Sequence, residues 1–362
     1  MLPYFGPRFG NSASRSHRFG WEAEKAVERA RERVAELAGA TPREIVFTSG
    51  ATESNNLALK GVLEAYRSQG NHIVTMATEH RAILDPLRHM ERLGTRVTVL
   101  PPQPDGLIDL DRLREAIQPD TVLVSVMFAN NEIGVVQPVA AIGAICRERG
   151  VLFHTDAAQA FGKLPIRVAE QAVDLMSFSA HKLYGPKGIG ALYVRRGVRV
   201  AAQIEGGGHE GGIRSGTLNV PGIVGFGEAC AICAGEMEQE TARVAALRDR
   251  LLAELQTGLD GVAVNGSLQN RLAGNLSLTF ASVTADALLA SVPEIALSTG
   301  SACSSATPEP SHVLRAIGLS AAAARSSVRF GLGRFNTEAE VDYAACRLIE
   351  AVRKLRSLAP VP

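Results

Sequence analysis

Lys182 has the most distinctive chemical setting in the sequence, because it follows an apolar strand and precedes a glycine-rich run. In SFSAHKLYGPKGIG, Ser179 and His181 stand close to it. A lysine enclosed in this way is expected to have a lowered pKa, which allows it to form an imine with an aldehyde. A surface lysine is the ordinary alternative, but it explains neither the polar cluster nor the glycines. Lys182 is therefore a candidate for Schiff-base chemistry.

Two other strand ends carry complementary groups. Asp156 follows the apolar residues VLFH, where an unpaired carboxylate is costly and a protonated pyridine nitrogen would satisfy it. SGAT, from Ser49 to Thr52, offers backbone N–H groups at a helix N-terminus, which favours a phosphate. Each could alone be an ordinary helix cap. Together with Lys182 they predict bound pyridoxal phosphate.

These residues must be positioned by strands that alternate with helices. The strands are predicted in EIVFT, HIVTMAT, RVTVL, TVLVSVMF, VLFHTD and LMSFS. Helices are predicted at 22–38, 51–70, 82–93, 110–117 and 140–149. This alternation predicts an α/β fold with a mainly parallel sheet, in which ligands bind at the carboxyl ends of the strands.

The pattern changes after Pro221. A long helix is predicted from Gly222 to Leu259, followed by shorter strands in LAGNLSLTF and SVRFGLG. We therefore expect two domains: residues 1–235 form a large cofactor-binding domain, and residues 236–362 form a smaller α+β domain.

The composition narrows the choice of partner. The chain has 362 residues, 46% of them hydrophobic, with 38 Lys and Arg against 37 Asp and Glu. This charge balance argues against nucleic acid or a membrane surface as a partner and favours a small molecule. The N-terminus has no secretion signal and no long apolar run is present, so a cytoplasmic location is expected.

The five cysteines are expected to be reduced thiols. Cys230 and Cys233 form a C-x-x-C pair in a helical run without a second pair at zinc spacing, so packing is favoured over metal or redox work. Cys146 and Cys346 are predicted to be structural residues of apolar helices. Cys303 differs, because STGSACSSATPEP is small and polar and predicts a mobile loop. No permanent metal site is predicted.

Longer motifs carry a specific resemblance. SGATESNN, TEH, NNEIGVVQ, DAAQ, SFSAHKLYGPKGIGALYVRR, GGGHEGGIRSGTLN, STGSACSSA and SSVRFGLGRF are similar to the cysteine desulfurases of the IscS/NifS type. That group belongs to the class V aminotransferases among the fold-type I pyridoxal-phosphate enzymes. The similarity runs from about Asn11 to Leu355. It implies a three-layer large domain with a mainly parallel sheet and a smaller α+β domain.

The resemblance also implies residue roles around the cofactor ring. Lys182 would hold the cofactor as a Schiff base, Asp156 would pair with the pyridine nitrogen, and Gln159 would bond the ring hydroxyl. His80 would stack on the ring and move protons. Asn131 would orient the ring hydroxyl and the substrate carboxylate.

Further roles concern the phosphate and the substrate. The phosphate would be held by Ala51, Thr52, Ser179 and His181. Thr217, in RSGT, is similar to a residue that reaches the phosphate of the opposite subunit, which implies a homodimer. A guanidinium at Arg329 would clamp the substrate carboxylate with two hydrogen bonds, although an inter-strand ion pair is the alternative.

The resemblance implies conversion of L-cysteine to L-alanine, with Cys303 accepting the sulfur as a persulfide. An iron–sulfur scaffold, a sulfur-carrier protein or tRNA thiolation would then receive it, and Cys303 is also a candidate for a transient iron–sulfur ligand. Alternatives are a selenocysteine lyase, an aminotransferase or another class V enzyme. An inactive truncated homologue is a further alternative, because the sequence lacks the family's usual N-terminal segment and longer C-terminal tail.

Overall fold

The structure is a computed structural model that describes residues 1–299 and 310–358. The chain divides into two compact units. The first contains residues 1–100, 109–128 and 138–237, and the second contains residues 101–108, 129–137 and 238–362. Two short segments that precede residue 235 thus belong to the second unit, which the sequence did not predict.

The first unit is built on a seven-stranded sheet in the order β1-β7-β6-β5-β4-β2-β3. Its strands are β1 (Ile45–Thr48), β2 (His72–Met76), β3 (Arg96–Leu100), β4 (Thr121–Ser125), β5 (Leu152–Asp156), β6 (Leu175–Ser179) and β7 (Gly190–Val194). Only β7 runs antiparallel to its neighbours, β1 and β6. The mainly parallel sheet is therefore confirmed, and β1, β2, β4, β5 and β6 end at the same edge.

Helices cover this sheet. They are α1 (Arg18–Ala38), α2 (Ala51–Ala65), α3 (Arg81–Arg92), α4 (Leu110–Ala116) and α5 (Val139–Arg149). Gly39 ends α1 in the left-handed conformation, as predicted for a glycine stop. The predicted end of α2 at Gly70 was wrong: the helix ends at Ala65, because Tyr66 caps it and residues 66–69 form turns.

The core between α2, α3 and the sheet is apolar on both sides. Leu59, Val62 and Leu87 from the helices pack with Ile73 and Leu123 from the strands, all nearly inaccessible to water. Strands buried on both faces are typical of parallel sheets. The helices therefore hold the strand ends at fixed positions.

The second unit has a four-stranded antiparallel sheet in the order β10-β11-β9-β8. Its strands are β8 (Val262–Val264), β9 (Asn275–Phe280), β10 (Ser298–Thr299) and β11 (Ser327–Gly331). Its helices are α7 (Ala285–Ser291), α8 (His312–Ala316), α9 (Ala321–Arg325) and α10 (Glu338–Leu358). The predicted α+β character of this part is confirmed.

Helix α6 (Val220–Gly258) crosses the division between Met237 and Glu238. Among the residues described, it alone is long and apolar enough to cross a membrane by length and composition. Ile223, Phe226 and Leu255 on it are fully buried within the protein. Such burial is the property of a core helix.

Candidate functional site

The carboxyl edge of the large sheet gathers most of the predicted site residues of the first unit. β1 leads into SGAT, β2 leads towards His80, β5 ends at Asp156 and β6 ends at Ser179, just before Lys182. Because these strands run in the same direction, their polar ends share one edge. The predicted site residues that follow these strands thus lie at one edge of the sheet.

Asp156 is nearly buried, with 6% of its surface exposed. One carboxylate oxygen, Oδ2, accepts a hydrogen bond of 2.7 Å from Asn55 Nδ2. The other, Oδ1, accepts one of 2.9 Å from the backbone N–H of Ala158. Neither of these donors carries a positive charge. A cationic N–H is the partner that a buried carboxylate needs most.

The turn before α2 provides a setting for an anion. Its N-cap, Gly50, has φ +150°, a conformation that L side chains rarely adopt, and it gives the helix no side-chain cap. The first-turn N–H groups of Ala51 and Thr52 therefore receive no capping oxygen from Gly50. A Cβ on Gly190 would stand 2.7 Å from Gly50 Cα, so a glycine in β7 is required beside this turn.

Ser179 and His181 form a polar pair beside the same turn. Their Oγ and Nδ1 atoms are 2.8 Å apart, and Ser179 is buried. Burial and the positive charges of Lys182 and Lys187 lower the pKa of His181 below its ordinary value. A neutral imidazole and a hydroxyl can donate hydrogen bonds to a phosphate without forming ion pairs.

Lys182 lies in a single 3-10 turn, Ala180–Leu183, immediately after β6. Its neighbours Ala180 and Leu183 are buried, whereas Lys182 is half-buried. Tyr184 ends the turn in the left-handed conformation with φ 63°, and the N–H of Gly185 bonds back to Ala180 O. This tight turn keeps the lysine at the sheet edge.

His80 is the N-cap residue of α3. Its Nδ1 accepts a hydrogen bond of 3.1 Å from the N–H of Ala82. In the neutral ring the proton must then lie on Nε2. The imidazole is half-buried, so Nε2 is available for proton transfer.

The residue before it, Glu79, was missed as a separate group in the sequence. It is completely buried, and its Oε1 accepts a 2.7 Å hydrogen bond from the N–H of Met127. Burial and, to a lesser extent, the charge of Asp156 raise the pKa of Glu79 well above its ordinary value. A glutamate flanked by a strand and a helix start is the signal that could have identified it.

The second unit holds the two predicted carboxylate-binding residues. Arg329 Nη1 donates a hydrogen bond of 2.7 Å to the backbone oxygen of Asn131. Its Nε donates one of 3.2 Å to Ser298 Oγ on the adjacent strand, where Ser298 is its Cα partner. Arg329 and Asn131 are thus brought together, and the contacts of Arg329 are with neutral oxygens rather than with an acidic residue of β10.

Two further predicted residues lie in loops of the first unit. Gln159 is half-buried in the turn after β5, and Thr217 is exposed in the loop before α6. Arg214, three residues before Thr217, binds Glu53 of α2 through Nε at 2.7 Å. Glu53 also accepts a hydrogen bond from Ser49 N–H at 2.8 Å, so one carboxylate links the anion turn to this loop.

The cysteines fall into different environments. Cys303 lies outside the described residues. Cys146, Cys230 and Cys233 are buried, which agrees with packing roles. The prediction for Cys346 was wrong: it lies on α10 but is exposed, because it projects from the polar side of that helix towards Glu350. Among the residues described, no group of His, Cys, Asp or Glu could hold a metal ion.

The arrangement in the first unit fits pyridoxal phosphate. The nearly buried Asp156 accepts hydrogen bonds from two uncharged N–H donors, and the glycine turn leaves helix N–H groups available for a phosphate. Lys182 follows β6, which lies between β1 and β5 in the strand order of the sheet. The residues required for a ring nitrogen, a phosphate and a Schiff base are therefore all present.

Comparisons with known proteins agree. The family described as aminotransferase class-V matches residues 1–344. The cysteine desulfurase IscS of Anaeromyxobacter dehalogenans (strain 2CP-C) is 57% identical, with 100% of this chain and 90% of that protein aligned. A solved NifS-like protein is 37% identical with TM-score 0.91, covering 98% and 94% of the two chains. The solved structure of SspA in complex with cysteine is 39% identical, with TM-score 0.81 and coverage of 92% and 94%.

Proposed function

The chain belongs to the class-V aminotransferase family, and on that premise we propose that it is a pyridoxal-phosphate-dependent cysteine desulfurase. The observation that carries the proposal is the strand-end arrangement of Asp156 and Lys182 beside a glycine turn. The relatives' names supply the substrate, L-cysteine. The products are L-alanine and a persulfide on a protein thiol.

The cofactor would be held by residues of the first unit. Lys182 would hold it as a Schiff base, and Asp156 would bind its ring nitrogen. The N-terminus of α2 with Ser179 and His181 would hold its phosphate, and Gln159 its ring hydroxyl. When bound, pyridoxal phosphate supplies an electron sink for the bonds at the substrate's Cα.

His80 carries the proton in this proposal. Its Nδ1 is fixed by the N–H of Ala82, so the proton is held and released at Nε2. The side chain is anchored as a helix cap, which keeps the ring in one orientation. Arg329 and Asn131 bind and orient the substrate carboxylate, with the guanidinium held by Ser298 Oγ and Asn131 O.

Cys303 would collect the sulfur. Its thiolate attacks the sulfur of L-cysteine, the S–Sγ bond forms, and the Cβ–S bond of the substrate breaks. The carbon keeps the bonding electrons and takes a proton, so cysteine plus a thiol becomes alanine plus a persulfide. No external oxidant or reductant is required. Cys303 would also be a transient iron–sulfur ligand if it delivers to a cluster.

The proposal includes the oligomeric state of the enzyme and the partner that receives the sulfur. The enzyme would be a cytoplasmic homodimer, with Thr217 of one subunit reaching the phosphate held by the other. The exposed position of Thr217, in a loop held to the anion turn through Arg214 and Glu53, supports this. The persulfide would pass to an iron–sulfur scaffold or a sulfur-carrier protein.

The cofactor is tested by visible absorption of the purified protein. We expect a Schiff-base band in the violet that changes when L-cysteine is added. Lys182→Ala should lose this band, whereas Lys187→Ala, altered at an exposed lysine of the same segment, should keep it. A wild-type protein loaded with pyridoxal phosphate that shows no such band would refute the proposal.

The sulfur acceptor is tested with Cys303→Ala. With L-cysteine and dithiothreitol, sulfide release should fall by at least about a hundredfold, while the cofactor band is retained. Cys346→Ala, which removes an exposed thiol, should retain the wild-type rate. Release at the wild-type rate from Cys303→Ala would contradict the persulfide step. A much faster reaction with selenocysteine would instead identify a selenocysteine lyase.

A further inference from the structure

We propose that Glu132 is a positioning residue for the substrate carboxylate, acting through the Asn131 backbone and the Arg329 guanidinium. This inference rests on the proposed function, because it concerns the carboxylate site of the same enzyme. Glu132 carries an ionisable side chain, yet only 3% of its surface is exposed. A buried carboxyl group has to be held by hydrogen bonds. The bonds around this residue connect it to both predicted carboxylate-binding residues.

Glu132 lies in a tight turn whose peptide groups are held by hydrogen bonds. The peptide that joins Asn131 to Glu132 accepts a 2.7 Å bond at its oxygen from Arg329 Nη1. The N–H of the same peptide donates to Asn130 Oδ1 at 2.8 Å. The next peptide accepts a 3.3 Å bond at the Glu132 oxygen from Asn275 Nδ2. Because a peptide group is planar, the direction of the Asn131 oxygen depends on the orientation of the whole group.

The side chain of Glu132 attaches this turn to helix α8. Ser311 Oγ donates a hydrogen bond to Glu132 Oε2, and it accepts the N–H groups of Val313 and Leu314 as the N-cap of the helix. A hydroxyl has a single proton, so Glu132 receives the proton of Ser311 while the helix uses its lone pairs. Ser311 is buried as well. Loss of the carboxyl group would therefore remove this attachment of the turn.

The orientation of the turn reaches the substrate through Arg329. The guanidinium is fixed by the Asn131 oxygen through Nη1 and by Ser298 Oγ through Nε. A guanidinium that binds a carboxylate through two parallel bonds must be held in one plane. Rotation of the peptide between Asn131 and Glu132 would remove one of the two acceptors that set this plane. Glu132 thus supports the guanidinium without contacting the substrate.

The test compares variants of the full-length protein loaded with pyridoxal phosphate. Glu132→Leu removes the acceptor at similar volume, whereas Glu132→Gln keeps an acceptor oxygen for Ser311. Glu338→Leu is the matched control, because it makes the first change at an exposed glutamate of the second unit. Two ligands are titrated by the change in the visible band: L-alanine, the proposed product, and ethylamine, the same molecule without its carboxylate. Binding of pyridoxal phosphate to the apoproteins and kinetics with L-cysteine are measured in parallel.

We expect Glu132→Leu to raise Kd for L-alanine and KM for L-cysteine at least about tenfold. Its kcat and its Kd values for ethylamine and pyridoxal phosphate should stay within about twofold of wild type, because the carboxylate site alone is affected. Glu132→Gln should restore the L-alanine affinity to within about threefold of wild type. In the Arg329→Gln background, Glu132→Leu should cause no further loss, because both changes act on the same guanidinium.

The outcomes separate this inference from the proposed function. Wild-type protein that does not bind pyridoxal phosphate overturns the proposed function. Normal cofactor binding, with L-alanine and ethylamine weakened equally in Glu132→Leu or with neither weakened, overturns only the role of Glu132. A merely structural role gives this second result together with a lower melting temperature. Ser311→Ala removes the same bond at its other end, and it takes the place of Glu132→Leu if that variant does not fold.

Discussion

His80 is the residue whose local structure best defines its chemistry. Its Nδ1 is occupied by the N–H of Ala82, which leaves a single nitrogen, Nε2, to exchange protons. A helix cap of this kind also fixes the ring orientation, since turning the ring would break the capping bond. The proton route in the proposed reaction therefore depends on one atom.

Replacing this imidazole should slow the reaction without releasing the cofactor. We expect His80→Gln to lower kcat by about a hundredfold to ten-thousandfold, the usual contribution of a general acid or base. Glutamine can still accept from Ala82, so α3 should begin at the same residue. Kinetics with L-cysteine provide the measurement, and His89→Gln, on the exposed last turn of α3, provides the control. A kcat within threefold of wild type would exclude His80 as the proton carrier.

Candidate site residues could be predicted from the sequence where the side chain directly follows a strand. They were harder to predict where a contact joins two different elements. Lys182 and Asp156 were identified as candidates from strand ends, whereas the role of His80 was implied by the family resemblance. The pairing of Asn55 with Asp156 was not predicted, because it joins residues 101 positions apart. Its helix position gives no sign of which strand end it will contact. Contacts between distant segments depend on the packing of the whole sheet.

At the scale of elements, β11 positions the guanidinium of Arg329. The strand is paired on both sides, with β9 and β10, so its backbone is held in register. Ser298 on β10 and the backbone of Asn131 then fix two nitrogens of the side chain. The remaining N–H groups of the guanidinium can donate to a substrate carboxylate, and the planar shape of both groups favours two parallel hydrogen bonds.

Loss of this guanidinium should weaken substrate binding specifically. We expect Arg329→Gln to raise KM for L-cysteine by about tenfold to a hundredfold, the range for a lost charged hydrogen bond. The cofactor band without cysteine should be unchanged. Arg325→Gln, at the exposed end of α9, is the matched control. An unchanged KM for Arg329→Gln would assign the side chain to sheet packing instead.

The centre of the large sheet contains a buried network of polar side chains. His154 on β5 is completely buried, with Nδ1 2.9 Å from Ser125 Oγ on β4 and Nε2 3.0 Å from Ser177 Oγ on β6. One side chain thus joins three neighbouring strands two residues before Asp156. Burial lowers the pKa of His154 to about 3. The ring is neutral in the folded protein at all ordinary pH values.

This histidine should make the fold sensitive to acid. Below pH 6.5, the ordinary pKa of histidine, His154 is protonated in the unfolded chain. In the folded chain it is protonated only near pH 3. Stability should therefore fall as the pH decreases through this interval, by at most about 1.4 kcal/mol per pH unit from this group. Denaturant unfolding between pH 6 and 4.5 measures the slope. His154→Gln should reduce it, and the exposed His89→Gln should not; equal slopes would contradict the assignment.

At the scale of the whole chain, the sequence predicted the order of strands and helices better than their partition. Six of the seven strands of the first unit and the long helix α6 follow from hydrophobic runs and their spacing, whereas β7 was not among the predicted strands. Residues 101–108 and 129–137 nevertheless belong to the second unit. Hydrophobic pattern reports burial but not which core a segment joins, so these two insertions could not be predicted.

In the proposed homodimer, each active site is built from residues of both subunits. If Thr217 reaches the phosphate of the opposite subunit, a site needs Lys182 from one chain and Thr217 from the other. Lys182→Ala and Thr217→Ala homodimers should then both be impaired. In a mixed dimer, however, the Thr217→Ala chain retains its own Lys182 and receives Thr217 from its Lys182→Ala partner. One complete site is restored.

Mixing the two variants, unfolding and refolding them together should therefore recover about a quarter of the wild-type activity, since about half of the randomly paired dimers hold one complete site. The exchange can be verified with a tag on one chain. If Thr217 served its own subunit, each mixed dimer would lack Lys182 in one site and Thr217 in the other. Activity would then remain at the average of the two homodimers, which would refute the shared site.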